Sequence, residues 1–109
     1  MALTKVFISQ GSGCKTAGVI KREQLYLRNV AEISLGEKCR FIDLTIEEKP
    51  PEKVNRSLWR LGKMLELMAK AEVAVFAKDW KDYSVCRIEH EVALAYGIKI
   101  VEEKGEDSK

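Results

Sequence analysis

Only one histidine, His90, stands among the 109 residues. A single imidazole leaves one candidate base for any Ser-His or Cys-His machinery, and it argues against histidine-rich metal chemistry. Cysteine is equally sparse. Cys14, Cys39 and Cys86 are odd in number, far apart and without a CxxC pair. This argues against a disulfide framework or a structural zinc site, and each reads as a small buried hydrophobe or an ordinary thiol. No apolar run approaches the ~20 residues of a membrane helix, so a spanning protein is excluded. An excess of one charge is missing too. Nineteen basic residues face seventeen acidic ones, for a net charge of +2 and a pI of about 8.4, with the signs interspersed. A nucleic-acid reader shows a clustered basic patch or a higher pI. Neither a nucleic-acid polymer nor a membrane is expected as a partner, and no metal or cofactor is expected.

What remains is an ordinary globular mixture, 46% hydrophobic and 33% charged. It suits one domain over residues 1–109. The stretch 102–109 carries four acids and two lysines and reads as a flexible tail. Met1 to Lys5 leads directly into a short apolar run, Val6 to Ile8, too short for a secretory signal, so a cytoplasmic location is expected.

Four short apolar runs punctuate the chain. Lys5-Val6-Phe7-Ile8-Ser9 ends in Gln10-Gly11-Ser12-Gly13, Arg40-Phe41-Ile42-Asp43-Leu44 follows, and then come Val73-Ala74-Val75-Phe76 and Ile98-Lys99-Ile100-Val101. Runs bounded by glycine or polar residues predict strands near 4–8, 40–43, 72–77 and 98–101. Between them lie helical patterns. Residues 15–33 carry Val19, Leu25, Leu27, Val30, Ala31 and Ile33 before Gly36. After the break at Pro50-Pro51, Val54, Leu58, Leu61, Leu65 and Met68 recur at steps of four and three, with Trp59 and Met64 widening the stripe. This predicts an amphipathic helix over 52–70 with Leu61, Leu65 and Met68 in the core. Residues 86–96 predict a third helix, with Ile88, Val92, Ala95 and Tyr96 on one side and Gly97 as its stop. Such alternation implies an α/β fold, a parallel sheet with right-handed crossovers and helices on both faces. Ligands of such sheets sit at the carboxyl ends of the strands, which selects the loops 9–14, 43–50 and 77–87.

The first loop holds Gln10, Gly11, Ser12 and Gly13 between a strand and a helix. Its amides could meet an anion, or the glycines could serve a tight turn; the spacing is neither GxGxxG nor a Walker loop. Glu89 falls early in the third helix and faces the ligand end. It could be a nucleophile toward an anomeric carbon, or an acid complementing the helix dipole. His90 and Glu91 follow it, and three consecutive helical positions cannot all serve one site. Trp80 and Tyr83 could stack on a base or anchor their loop. Arg87 could meet a phosphate or solvent. Asp79 and Ser84 complete the candidate binding set.

The first strand with its glycine loop, Ala69-Lys70-Ala71-Glu72-Val73-Ala74-Val75, and Ile88-Glu89-His90-Glu91-Val92-Ala93-Leu94-Ala95-Tyr96-Gly97 together resemble the nucleoside 2-deoxyribosyltransferase-like superfamily. Leu61-Gly62-Lys63-Met64-Leu65-Glu66-Leu67-Met68 and Cys86-Arg87-Ile88-Glu89-His90-Glu91 resemble its small phage- and bacteria-associated branch (the DUF4406 type). The likeness covers about residues 5–101. It implies a flavodoxin-like Rossmannoid three-layer sandwich with a four-stranded, or five-stranded, parallel sheet whose first and third strands are central. It implies cleavage of the N-glycosidic bond of a 2′-deoxynucleoside or its monophosphate, a glutamate attacking C1′, and a site built at a homodimer or larger homo-oligomer interface, for which the stripe with Trp59 and Met64 is the candidate. The family's glutamate stands eight residues before a glycine, with an alanine four after it; Glu89, Gly97 and Ala93 match. Two positions depart from the pattern. Met64 stands where the family has an aspartate, and Tyr83-Ser84-Val85-Cys86 replaces its Ser-x-Gly. These departures keep two alternatives beside an enzyme: a non-catalytic nucleotide binder and a small protein-interaction module.

Overall fold

A computed structural model describes residues 3–13 and 15–104, and every structural statement below concerns these. The expectation for Cys14, and that of a flexible tail over 105–109, lie outside them. The chain runs β1 (Thr4–Ser9), α1 (Ala17–Leu35), β2 (Cys39–Phe41), α2 (Arg56–Met68), β3 (Val73–Phe76), α3 (Ser84–Ala95) and β4 (Lys99–Glu102). All four strands are parallel, in the order β2-β1-β3-β4. β1 and β3 are therefore central. Val73 to Phe76 are buried throughout, which is why this strand shows no alternation in the sequence.

Each sheet face has its own core. Val6, Ile8, Val73 and Val75 point toward α1 and pack with its Leu27 and Ala31. Phe7, Ala74 and Phe76 point the other way, onto Met68 of α2 and Ala93 of α3. The result is a Rossmann-like α/β sandwich in three layers.

Local signals set the helix limits. The Thr16 hydroxyl accepts from Val19 N and starts α1, and Gly36 ends it at φ +70°, where a side chain would be strained. Asn55 caps α2 by accepting from Leu58 N. The second helix thus begins four residues later than the periodicity suggests, and it ends at 68 rather than 70. Its first turn carries Leu58 outward, 64% exposed, and Val54 lies exposed before the cap. Leu61 and Met68 are buried as expected, but Leu65 is only half-buried.

The third helix inverts the expected face. Cys86, Glu89 and Ala93 are buried, while Ile88 and Ala95 are exposed and Tyr96 is 79% exposed. Only Val92 of the expected stripe packs against the core. Small side chains let the helix lie close to the sheet, so a glutamate outranks isoleucine for the inner face. On α1, Val19, Leu25 and Ile33 are exposed as well. The tail expectation fails at its start: Glu102 closes β4, Glu103 N donates to Phe76 O at 2.9 Å, and the Glu103 carboxylate accepts from Lys78 N. No helix among the described residues is long and apolar enough to cross a membrane.

Truncation experiments should rank with this burial. Met68→Ala removes a fully buried side chain and is expected to cost ~2–5 kcal/mol, Leu65→Ala less, and the exposed Ile33→Ala under ~0.5 kcal/mol. Urea midpoints check the order, and equal effects of Met68→Ala and Ile33→Ala would refute the core assignment.

Candidate active site

α1 crosses from β1 to β2 on one face of the sheet, and α3 crosses from β3 to β4 on the other. The chain therefore diverges between the carboxyl ends of β1 and β3. That divergence opens a crevice, the place where open parallel sheets bind ligands. A cleft of about 740 Å³ lies at this end, within the ~300–1,000 Å³ common for small-molecule sites.

Glu89 lines the cleft and is nevertheless only 3% exposed. Its position in the second turn of α3 sends the side chain back toward the helix N-terminus and the sheet end. There its Oε1 accepts a hydrogen bond of 2.6 Å from the Ser9 hydroxyl, itself buried at the last position of β1. Burial pushes the Glu89 carboxyl up to about 7, against the opposing pull of the Ser9 bond, which favours the anion. Burial likewise pushes the neighbouring Cys86 thiol up to about 11, with Ser9 and Glu89 among its neighbours. Cys86 is thus a protonated packing group and no thiolate nucleophile at neutral pH.

The glycine loop has a packing role of its own. The Tyr83 ring lies directly against it: a Cβ at Gly11 would overlap Tyr83 Cγ, and one at Gly13 would stand 2.8 Å from Cε1. The two glycines make room for an aromatic ring packed against the Cα side of the loop. Behind the loop, Lys15 Nζ bonds Glu23 at 2.8 Å and Asp79 at 3.0 Å. Burial works against the lysine's charge, but its two carboxylate partners more than offset this, and its pKa lies above the ordinary value. Gln10 donates to the same Glu23 oxygen at 2.7 Å, leaving its own Oε1 buried without a partner among the described residues.

Of the expected binding set, Gln10, Gly11, Ser12, Gly13, Tyr83 and Ser84 line the cleft with Glu89. Asp79, Trp80 and Arg87 are not brought there. Asp79 is held by Lys15. Trp80 stacks flat on His90, with ring centroids 3.9 Å apart, and packs against Phe76, so its face is occupied. His90 in turn bonds Glu102 at 2.8 Å. Arg87 is exposed and donates to the Lys81 carbonyl. Glu91 is exposed on another face of α3.

Several lining residues escaped the sequence reading. Gln24 and Arg28 come from α1 and Ser57 and Arg60 from α2, while Asp43 and Thr45 lie in the loop 43–50 that the parallel-sheet argument selects. The signal was spacing. Ile20, Gln24 and Arg28 recur at four residues, and Ser57, Arg60, Leu61 and Met64 at three and four, so each set forms one helix edge. Met64 itself lines the cleft. Among the described residues no group of three or more histidines, cysteines or acids is placed to hold a metal ion. Comparison of the chain with protein-family models, curated proteins and solved structures finds no match.

Two measurements test this geometry. Because the folded pKa of Glu89 lies above the ordinary carboxyl value of 4.5, its contribution to stability is full below about 4.5 and is lost as pH rises through about 7. Glu89→Gln should match the wild type near pH 4 and exceed it at pH 8 by on the order of 3 kcal/mol. A pH-independent difference in urea midpoints would contradict the buried carboxyl. Gly11→Ala should destabilise the wild type by ~1–3 kcal/mol through the clash with Tyr83, and much less in a Tyr83→Ala background. Additive effects in that double-mutant cycle would exclude the contact.

Proposed function

We propose that this chain is a nucleoside 2-deoxyribosyltransferase-like protein that cleaves the N-glycosidic bond of a 2′-deoxynucleoside or its monophosphate through Glu89. The observation that carries the reading is the Glu89 carboxyl itself, buried, fixed by Ser9 and opening on a ligand-sized cleft at the divergence of β1 and β3. In the first step a Glu89 oxygen bonds to C1′ while the C1′–N bond breaks and its electron pair leaves with the base, which takes a proton from water. In the second step water, or the nitrogen of another base, attacks C1′ and frees the carboxylate. The ester needs a fixed oxygen and limited water, which burial supplies. Only the anion attacks, and a carboxyl that ionises near neutrality is half ready at pH 7.

A second reading rests on one specific observation. Met64, where the resembled family has an aspartate, faces the cleft and can neither orient a base nor move a proton. A chain that binds nucleotides in this cleft without breaking the bond accounts for that residue. The proposal also includes a cytoplasmic location, where free nucleotides occur, and self-association. The exposed Leu58 and Val54 beside Trp59 are the apolar surface offered for it. Met64, expected in that contact, is turned to the cleft instead.

Chromatography of free base released from deoxynucleosides and their monophosphates tests the reaction. Base release should rise as pH passes through about 7. It should vanish in Glu89→Gln and persist in Glu91→Gln. Retention in Glu89→Gln removes the nucleophile, and tight binding without base release from any substrate selects the second reading. Light scattering should show a dimer or larger species at high micromolar concentration; a monomer there refutes self-association.

A further inference from the structure

Two arginines line the cleft, and neither has a carboxylate partner within 4.0 Å among the described residues. Arg28 comes from α1 and Arg60 from α2, helices that cover opposite faces of the sheet and reach its ligand end from either side. Arg28 is already oriented. Its guanidinium carbon sits 5.2 Å from the centroid of Phe41, a ring that also lines the cleft. Such a contact holds a cation in place without neutralising it.

The other charges sharpen the point. Lys15, the cation beside the β1 loop, is spent on Glu23 and Asp79. The acids that line the cleft are Asp43 and Glu89. Asp43 accepts from Thr45 N at 2.9 Å, and Glu89 is buried against Ser9. Two unpaired guanidiniums thus face one exposed carboxylate and one buried carboxyl, leaving the open part of the cleft cationic. The glycine loop lines the same cleft but brings no charged side chain of its own.

We propose that Arg28 and Arg60 together bind the phosphate of a phosphorylated substrate, so that the site takes a deoxynucleoside monophosphate in preference to the free deoxynucleoside. The inference rests on the reading of the cleft as a nucleoside site served by Glu89. A phosphate monoester carries close to two negative charges at neutral pH and three terminal oxygens. Guanidinium forks match that geometry and form the stronger class of hydrogen bond. The arginines then act as specificity-determining residues and take no part in bond breaking.

The test uses the full chain, the four common 2′-deoxynucleosides and their 5′-monophosphates. Affinity is read by calorimetry, and base release by chromatography of the same samples. The monophosphates should bind about tenfold or more tightly than the nucleosides, and added salt should weaken only the monophosphates. Arg28→Ala and Arg60→Ala should each weaken monophosphate binding by about ten- to hundredfold and leave nucleoside binding within about twofold. Arg28→Lys and Arg60→Lys should recover part of the loss, because charge returns without the fork. Arg22→Ala, on α1 but away from the cleft lining, should change nothing. Unaltered thermal midpoints exclude misfolding as the cause. Equal affinity for the two substrate classes, or monophosphate binding indifferent to both alanine variants, overturns the inference, as does binding of neither class. Preferential, arginine-dependent binding of monophosphates without base release upholds it while refuting the Glu89 reaction. Base release from both classes alike, unaffected by either variant, does the reverse.

Discussion

The hydrogen bond between Ser9 and Glu89 is the contact on which the ligand end of this protein depends. A carboxyl taken out of water carries a large penalty unless it is neutral or well bonded. Here both remedies operate: the pKa rises to about 7, and a buried hydroxyl donates to one oxygen. The bond also requires a close approach of α3 to the central strand. Cys86 and Ala93, a turn to either side of Glu89, are small and fully buried, and they allow it. On the strand side, Val6, Phe7 and Ile8 give way to Ser9 where the sheet meets the cleft. The bulky residues fill the two cores, and the short hydroxyl leaves space for the carboxyl. Strand, helix and cleft are thereby fixed by one polar pair in an otherwise apolar layer.

The glycine loop shows how one sequence signal can have two physical causes. Glycines after the first strand of a parallel sheet allow backbone to approach an anion, and they equally allow a ring to approach backbone. Tyr83 supplies the second cause, because its ring occupies the space that a Cβ at Gly11 or Gly13 would take. With Tyr83 packed on the loop and Lys15 paired to Glu23 of α1 and to Asp79, the start of α1 is joined to the segment after β3. Trp80 adds to the same joint through its stack on His90 and its packing on Phe76. The aromatic residues of this segment thus divide: one faces the cleft and one faces the core.

Much of the fold was legible in the residues, for a plain reason. Strands buried on both faces must be apolar throughout, and Val73 to Phe76 announce themselves. The caps at Thr16, Gly36 and Asn55 are equally local. What the pattern obscured is what depends on tertiary approach. The third helix carries two apolar stripes, and the one with larger side chains is exposed because the smaller one fits against the sheet. Val54 and Leu58 keep the period of α2 but fall at its start, where they remain exposed. In the cleft, the resemblance singles out Glu89 by its spacing to Ala93 and Gly97, whereas nothing marks its partner Ser9, since a serine ending a strand has no periodicity. Arg28 and Arg60 were hidden for a related reason. Each looks like one more charge on a solvated helix face until the two helices are seen to converge on one cleft.

The proposed division of labour in the cleft also has to satisfy its own electrostatics. A ligand that fills the cleft displaces water and raises the pKa of a buried carboxyl further, which works against a nucleophile that must be ionised. A phosphate arriving alone would add like charge and worsen the effect. Two guanidiniums that cancel the phosphate's charge remove that second term. On this reading recognition by the arginines is what makes the charge of the substrate tolerable. They allow an anionic substrate to enter a site whose reacting group must itself become an anion. The Ser9 hydroxyl then supplies the remaining stabilisation at the oxygen it already touches.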